Sequence, residues 1–150
     1  MRNIFNFAIL TVFSLYVFGC GERNATEYIE GTVTYKGAPV EEANISFSPT
    51  ASEGVSAFGH TDAKGKYVIQ TLHGAVGRGT TPGEYKVTIT KTVGIPTGEK
   101  RKIPGGSEFE VMKYEEMLPK AYVSITSTPL TVTVTKGGPN KFDFDLVDKP

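Results

Sequence analysis

Tryptophan is absent from this chain, cysteine occurs once and histidine twice in 150 residues. Each shortage closes off a class of function. With Cys20 alone no intrachain disulfide can form, so the fold has to be held by packing. Lacking tryptophan, the chain makes a weak case for a large aromatic binding platform. No sign of charge is in excess, 16 Lys and Arg standing against 16 Asp and Glu, so there is no basic field for nucleic acid and none is expected as a partner. The two histidines, His60 and His73, have no Glu three or four residues later. The ligand spacing of a zinc peptidase is therefore missing, and no metal or cofactor is expected.

What the chain has in quantity is alternation. Tyr85, Val87 and Ile89 alternate with Lys86, Thr88 and Thr90, after the turn residues Pro82-Gly83; such a pattern predicts a strand with one face in a core and one in water. Ile29, Gly31, Val33 and Tyr35 predict another, with Gly31 marking a bulge or a close approach. Ala43, Ile45 and Phe47 predict a third strand, in hairpin sequence with the one before it. Val55 to His60 and Tyr67 to Leu72 follow, separated by the Asp62-Ala63-Lys64-Gly65 turn. Near the end, Leu130, Val132 and Val134 precede the turn Lys136 to Asn140, and Phe142, Phe144 and Leu146 complete a predicted terminal hairpin. Between Thr92 and Ala121 the pattern lapses amid Pro96, Pro104, Pro119 and several glycines. Ser107-Glu108-Phe109-Glu110 has capping-box form there and predicts a short helix ending before Pro119. Short strands with turns between them and little helix point to an all-β chain, an antiparallel seven-stranded β-sandwich with one long irregular insertion.

The run from Ile4 to Phe18 is apolar except for Asn6, Thr11 and Ser14. At about 15 residues it falls short of the ~20 that a spanning helix needs, and predicts a signal peptide over 1–19. Its end, Val17-Phe18-Gly19-Cys20, resembles the bacterial lipobox. That resemblance implies lipidation of Cys20, a lipidated cysteine and tether over 20–27, and a domain over 28–150 anchored outside the cytoplasm. Gly21 in place of Asp implies the outer membrane or cell surface. The six residues from Gly21 to Thr26 span at most ~20 Å, which keeps the domain near the lipid surface.

Further stretches carry a second resemblance: Gly31 to Val40, the turn and strand from Thr61 to Tyr67, Pro82-Gly83-Glu84-Tyr85-Lys86-Val87, Leu118-Pro119 with Tyr122, and Phe142-Asp143-Phe144-Asp145-Leu146. Together they are similar to the carboxypeptidase regulatory-like, transthyretin-like (prealbumin-like) domain of small bacterial lipoproteins. The resemblance implies the accessory domain of such enzymes and not the catalytic one. The C-terminal Tyr-Arg-Gly-Ser signature of transthyretin-like hydrolases is also missing, since the chain ends Leu146-Val147-Asp148-Lys149-Pro150.

No constellation of reactive groups emerges. His60 and Asp62 share a strand face but fall short of four ligands. Asp143 and Asp145 have the pattern of a solvated strand side, as Glu115 and Glu116 have that of exposed acids. Ser124 and Ser127 lack a neighbouring base. The candidate ligand-binding residues are the basic cluster Lys100, Arg101 and Lys102, suited to anionic headgroups or an acidic glycan, and the aromatic residues Phe109, Tyr114 and Tyr122. The expected function is a non-catalytic structural or binding module of the cell envelope, with membrane lipid as a partner through Cys20 and an envelope protein or glycan as a second. The alternatives are a carbohydrate- or peptide-binding module using 92–121 and the accessory domain of an envelope hydrolase system.

Overall fold

A computed structural model describes residues 25–71 and 79–150. The leader, Cys20 and His73 lie outside them. Among the described residues the chain is all-β, with twelve strand segments in three sheets and one 3₁₀ turn at Lys120–Tyr122.

The first sheet is built around β1 (Ile29–Tyr35), whose Ile29, Gly31 and Val33 point inward. After the Lys36-Gly37 turn, β2 (Ala38–Pro39) folds back on its end. The chain then crosses to the second sheet. There β3 (Asn44–Pro49) pairs with β4 (Ala57–His60) and not with β1, so the first predicted hairpin is replaced by a crossover. The next strand is divided at Ile69: β5 (Lys66–Val68) pairs with β1, and β6 (Gln70–Thr71) pairs with β4 in the other sheet. One extended stretch thereby stitches the two sheets together.

β7 (Gly83–Thr90) lies between β3 and β10 (Thr131–Val134), which makes it an interior strand of the second sheet. β8 (Thr92–Lys102) and β9 (Glu108–Glu116) form the third sheet by themselves. The predicted capping-box helix at Ser107 to Glu110 is thus corrected to a turn and a strand. Cross-strand pairing of Lys102 with Glu108 and of Lys100 with Glu110 extends the backbone where the local signal favoured a helix.

The terminal hairpin is corrected as well. β10 joins β7, whereas β11 (Asn140–Lys141) and β12 (Phe144–Leu146) run parallel to β1 in the first sheet. Where β11 hands over to β12, the side chain of Asp143 takes the place of a backbone acceptor: its Oδ1 receives the Thr32 amide at 2.9 Å and the Thr32 hydroxyl at 2.7 Å. Gly31 is obligatory at this junction, because a Cβ there would lie 1.8 Å from the Phe142 carbonyl oxygen. The Tyr67 hydroxyl donates to that same oxygen at 2.7 Å, and its ring stacks on Phe144 at 6.1 Å.

Both five-stranded sheets supply one core. Ile29, Val33, Tyr67, Phe144 and Leu146 come from the first, and Ile45, Phe47, Tyr85, Val87, Ile89 and Val132 from the second. Its buried polar groups are paired among the described residues. The Tyr85 hydroxyl donates to the Thr81 carbonyl at 2.8 Å and lies 3.0 Å from the Thr81 hydroxyl, as a buried polar group requires.

Candidate functional site

Two surface features stand out: the β8–β9 arm and a groove at the junction of the two large sheets. The arm begins one residue after β7 ends, so Lys91 is its hinge. Met117 N–H bonds the Lys91 carbonyl at 2.8 Å, and one carboxylate oxygen of Glu116 accepts the amides of Lys91 at 2.8 Å and Leu118 at 3.1 Å. Glu116 therefore clamps the base of the arm and is not the freely exposed acid that its sequence context suggests. Leu118 and Tyr122 lie beyond the clamp in the core, anchoring the return of the chain.

With eleven residues in β8, the arm is about 35 Å long. At its tip, Ile103-Pro104-Gly105-Gly106 makes a turn with Gly105 at φ 76° and a 2.9 Å bond from Gly106 N–H to the Ile103 carbonyl. The pairing register sorts the side chains onto two faces. Val93, Ile95, Arg101, Phe109, Val111, Lys113 and Glu115 share one, and the Arg101–Glu99 and Lys113–Glu115 ion pairs at 3.0 and 2.7 Å lie along it. Gly94, Pro96, Lys100, Lys102, Glu108, Glu110, Met112 and Tyr114 share the other. There Met112 and Tyr114 drape over Gly94, within 3.2 and 3.3 Å of where its Cβ would be. Val93, Ile95, Phe109, Met112 and Tyr114 are all exposed, Tyr114 at 70%.

The candidate residues named from sequence thus divide. Lys100, Arg101, Lys102, Phe109 and Tyr114 are brought together on the arm. Tyr122 is not: it is 2% exposed, and its hydroxyl receives the Val147 amide at 3.0 Å, so it is a core residue closed to a surface ligand. The basic cluster is also no isolated patch. Lys100 stands opposite Glu110, Lys102 opposite Glu108, and Arg101 bonds Glu99. Between Thr92 and Glu116 four basic side chains meet five acidic ones. Sequence reasoning missed Met112, Val93 and Ile95 as surface residues, although the alternation of Glu108 to Glu116 was there to suggest a strand.

The arm and the N-terminal end of the described chain lie at opposite ends of β7. Glu27 and Thr80 exchange backbone bonds of 2.8 and 3.2 Å three residues before β7 starts, and the Glu27 carboxylate accepts the Gly137 amide at 3.0 Å. Eight residues of β7, about 26 Å of extended chain, separate this end from the arm's hinge.

The groove, of about 590 Å³, is lined by Glu30, Phe58, His60, Asp62, Lys66 and Gln70 among others. His60 and Asp62 both line it. One Asp62 oxygen, however, accepts the amides of Lys64 at 2.8 Å and Lys66 at 2.9 Å, and those bonds hold the carboxyl below the ordinary carboxylate range. This is a turn-forming aspartate. Among the described residues no three His, Cys, Asp or Glu side chains gather to hold a metal ion.

Comparison with protein-family models, with curated proteins and with solved structures gave no match.

Proposed function

We propose that this chain is an exported, lipid-anchored, non-catalytic module: a β-sandwich of the transthyretin-like, carboxypeptidase regulatory-like kind, held to a bacterial membrane through acylated Cys20 and acting through the β8–β9 arm. The observation that carries this reading is the opposition of the two ends. A tether ending at Glu27 keeps that end of β7 near the lipid, and the arm then leaves the end farther from the anchor. Local charge also argues against anionic headgroups as the partner of Lys100, Arg101 and Lys102, because the cluster is balanced by Glu99, Glu108 and Glu110. The shifted acids support a structural role as well, since Asp62, Asp143 and Asp148 each hold a turn or a strand contact.

Two measurements test the proposal. Fractionation with a labelled fatty acid should find wild-type protein acylated and membrane-bound, and Cys20→Ser unlabelled and released. A photo-crosslinking residue at Tyr114 should capture neighbours in cells, while one at Thr131, on the body, should not. Retention of the serine variant on membranes, together with an unlabelled wild type, would remove the anchor; equal capture from both positions would remove the arm.

A further inference from the structure

The two long edges of the arm differ in how they are protected. β8 carries Pro96, a register irregularity between Pro96 and Lys100, and the lysines Lys100 and Lys102. Proline, bulges and lysine are the features by which proteins keep an open strand from pairing. β9 has none of the first two: it runs nine residues from Glu108 to Glu116 without proline, glycine or a break. The Met117-to-Lys91 bond turns the backbone groups of the odd-numbered residues of β9 toward β8, and the 2.7 Å bond from the Thr97 hydroxyl to the Val111 carbonyl agrees. By alternation, the N–H and C=O groups of Glu108, Glu110, Met112, Tyr114 and Glu116 face outward. A two-stranded sheet is marginal by itself, and three or more strands are needed for independent stability.

We propose that the open edge of β9 pairs with β9 of a second copy of this chain, antiparallel and centred on Val111, giving a four-stranded sheet β8-β9-β9-β8 about a two-fold axis. The inference rests on the arm as the working surface. Charge selects this register. Centring on Glu110 sets that acid against its own copy; centring on Met112 sets Glu108 against Glu116, and centring on Lys113 sets lysine against lysine. Centring on Val111 opposes Phe109 to Lys113, Glu110 to Met112 and Glu108 to Tyr114, so that an ammonium meets a ring and a carboxylate meets a phenol. The outward-facing Glu110 and Met112 then exchange backbone bonds, and the two Val111 residues form a non-bonded pair with Cα atoms about 4.5 Å apart. The bodies lie at opposite ends of the joined sheet, so both anchors reach one membrane when that sheet lies along it.

The test uses the full chain in membranes. Val111→Cys places a thiol where the two copies meet, within disulfide range, and mild oxidation should give a covalent dimer at least tenfold more abundant than from Val93→Cys on the protected strand or from wild type. Met112→Pro removes an outward N–H without touching the β8 ladder, so in the Val111→Cys background it should abolish the crosslink. Co-expressed Phe109→Cys and Lys113→Cys chains should join each other more than either joins itself. No Val111 dimer above the Val93 level, or a dimer indifferent to Met112→Pro, overturns the proposal. Capture of a different envelope protein at Tyr114, with Val111→Cys silent, also overturns the second copy as occupant but leaves the arm as the working surface.

Discussion

β7 and β8 follow each other with one residue between them, and Val93 and Ile95 alternate as Val87 and Ile89 do, yet the two strands end in opposite environments. Val87 and Ile89 are 0% exposed, whereas Val93 and Ile95, a few residues on, are 39% and 42% exposed. Alternation tells which side chains share a face. It does not tell whether anything lies beneath that face. In the body, β7 has β3 and β10 beside it and the first sheet packed against its apolar side. Past Lys91 the chain loses that second layer, so the apolar residues of the arm pack only on each other and join no core.

The largest effect that separates the two regions is truncation of a core side chain. Phe47→Ala removes a fully buried ring in contact with Tyr85, at 6.0 Å between centroids, and should cost about 3–5 kcal/mol. Ile95→Ala on the arm should change stability by no more than ~0.5 kcal/mol. Urea unfolding of both variants in the Cys20→Ser background measures the difference. A cost at Ile95 approaching that at Phe47 would mean that the arm packs on the body after all.

Glycines sharpen the same comparison at a smaller scale. Gly31→Ala drives a methyl into the Phe142 carbonyl at a junction of three strands, where no flexible side chain can yield, and should cost about 3 kcal/mol. Gly98→Ala meets no atom within 4 Å and suffers only from its φ of 76°, a penalty of about 1 kcal/mol. Thermal unfolding should therefore place the Gly31 variant well below the Gly98 variant. Equal losses would show that the strands around Gly31 shift to admit the methyl.

How far the sequence foretold each region follows from the same physics. The core face was legible residue by residue, because Phe47, Val87, Val132 and Phe144 belong to period-two runs, and of the bulge or close approach expected at Gly31 the structure shows the second. Sheet partnership was not legible. The segment from Lys136 to Asn140 has turn chemistry whether it reverses the chain within one sheet or carries it to another, and here it carries β10 and β12 into different sheets. The arm was obscured by its own punctuation: Pro96 suggested a break, yet a proline whose missing N–H faces an open edge interrupts no ladder bond. Of the candidate residues, those on the arm were found by composition alone, whereas Tyr122 had the same composition and a different depth.

The smallest effect lies in pH, where body and arm should respond at opposite ends of the scale. The Thr32 hydroxyl, and after it Lys141 and the Thr32 amide, hold the Asp143 carboxyl below its ordinary value of 3.8. A carboxyl whose folded pKa is depressed contributes stability above its unfolded value and loses that contribution as pH falls through the folded one. The contact between β1 and Asp143 should weaken below about pH 3.8, and Asp143→Asn should flatten that part of the stability curve. On the arm, Glu115 holds the Lys113 ammonium above its ordinary 10.5. An amine raised in this way contributes below its unfolded value and loses the contribution as pH rises through the folded one, so the Lys113 side of the contact should fail in strong alkali. Amide shifts recorded across both ranges read the two contacts separately: Thr32 should titrate in acid, and the amides flanking Lys113 in alkali. An acid transition at Thr32 that survives Asp143→Asn would deny that this carboxylate stands in for the missing backbone acceptor between β11 and β12.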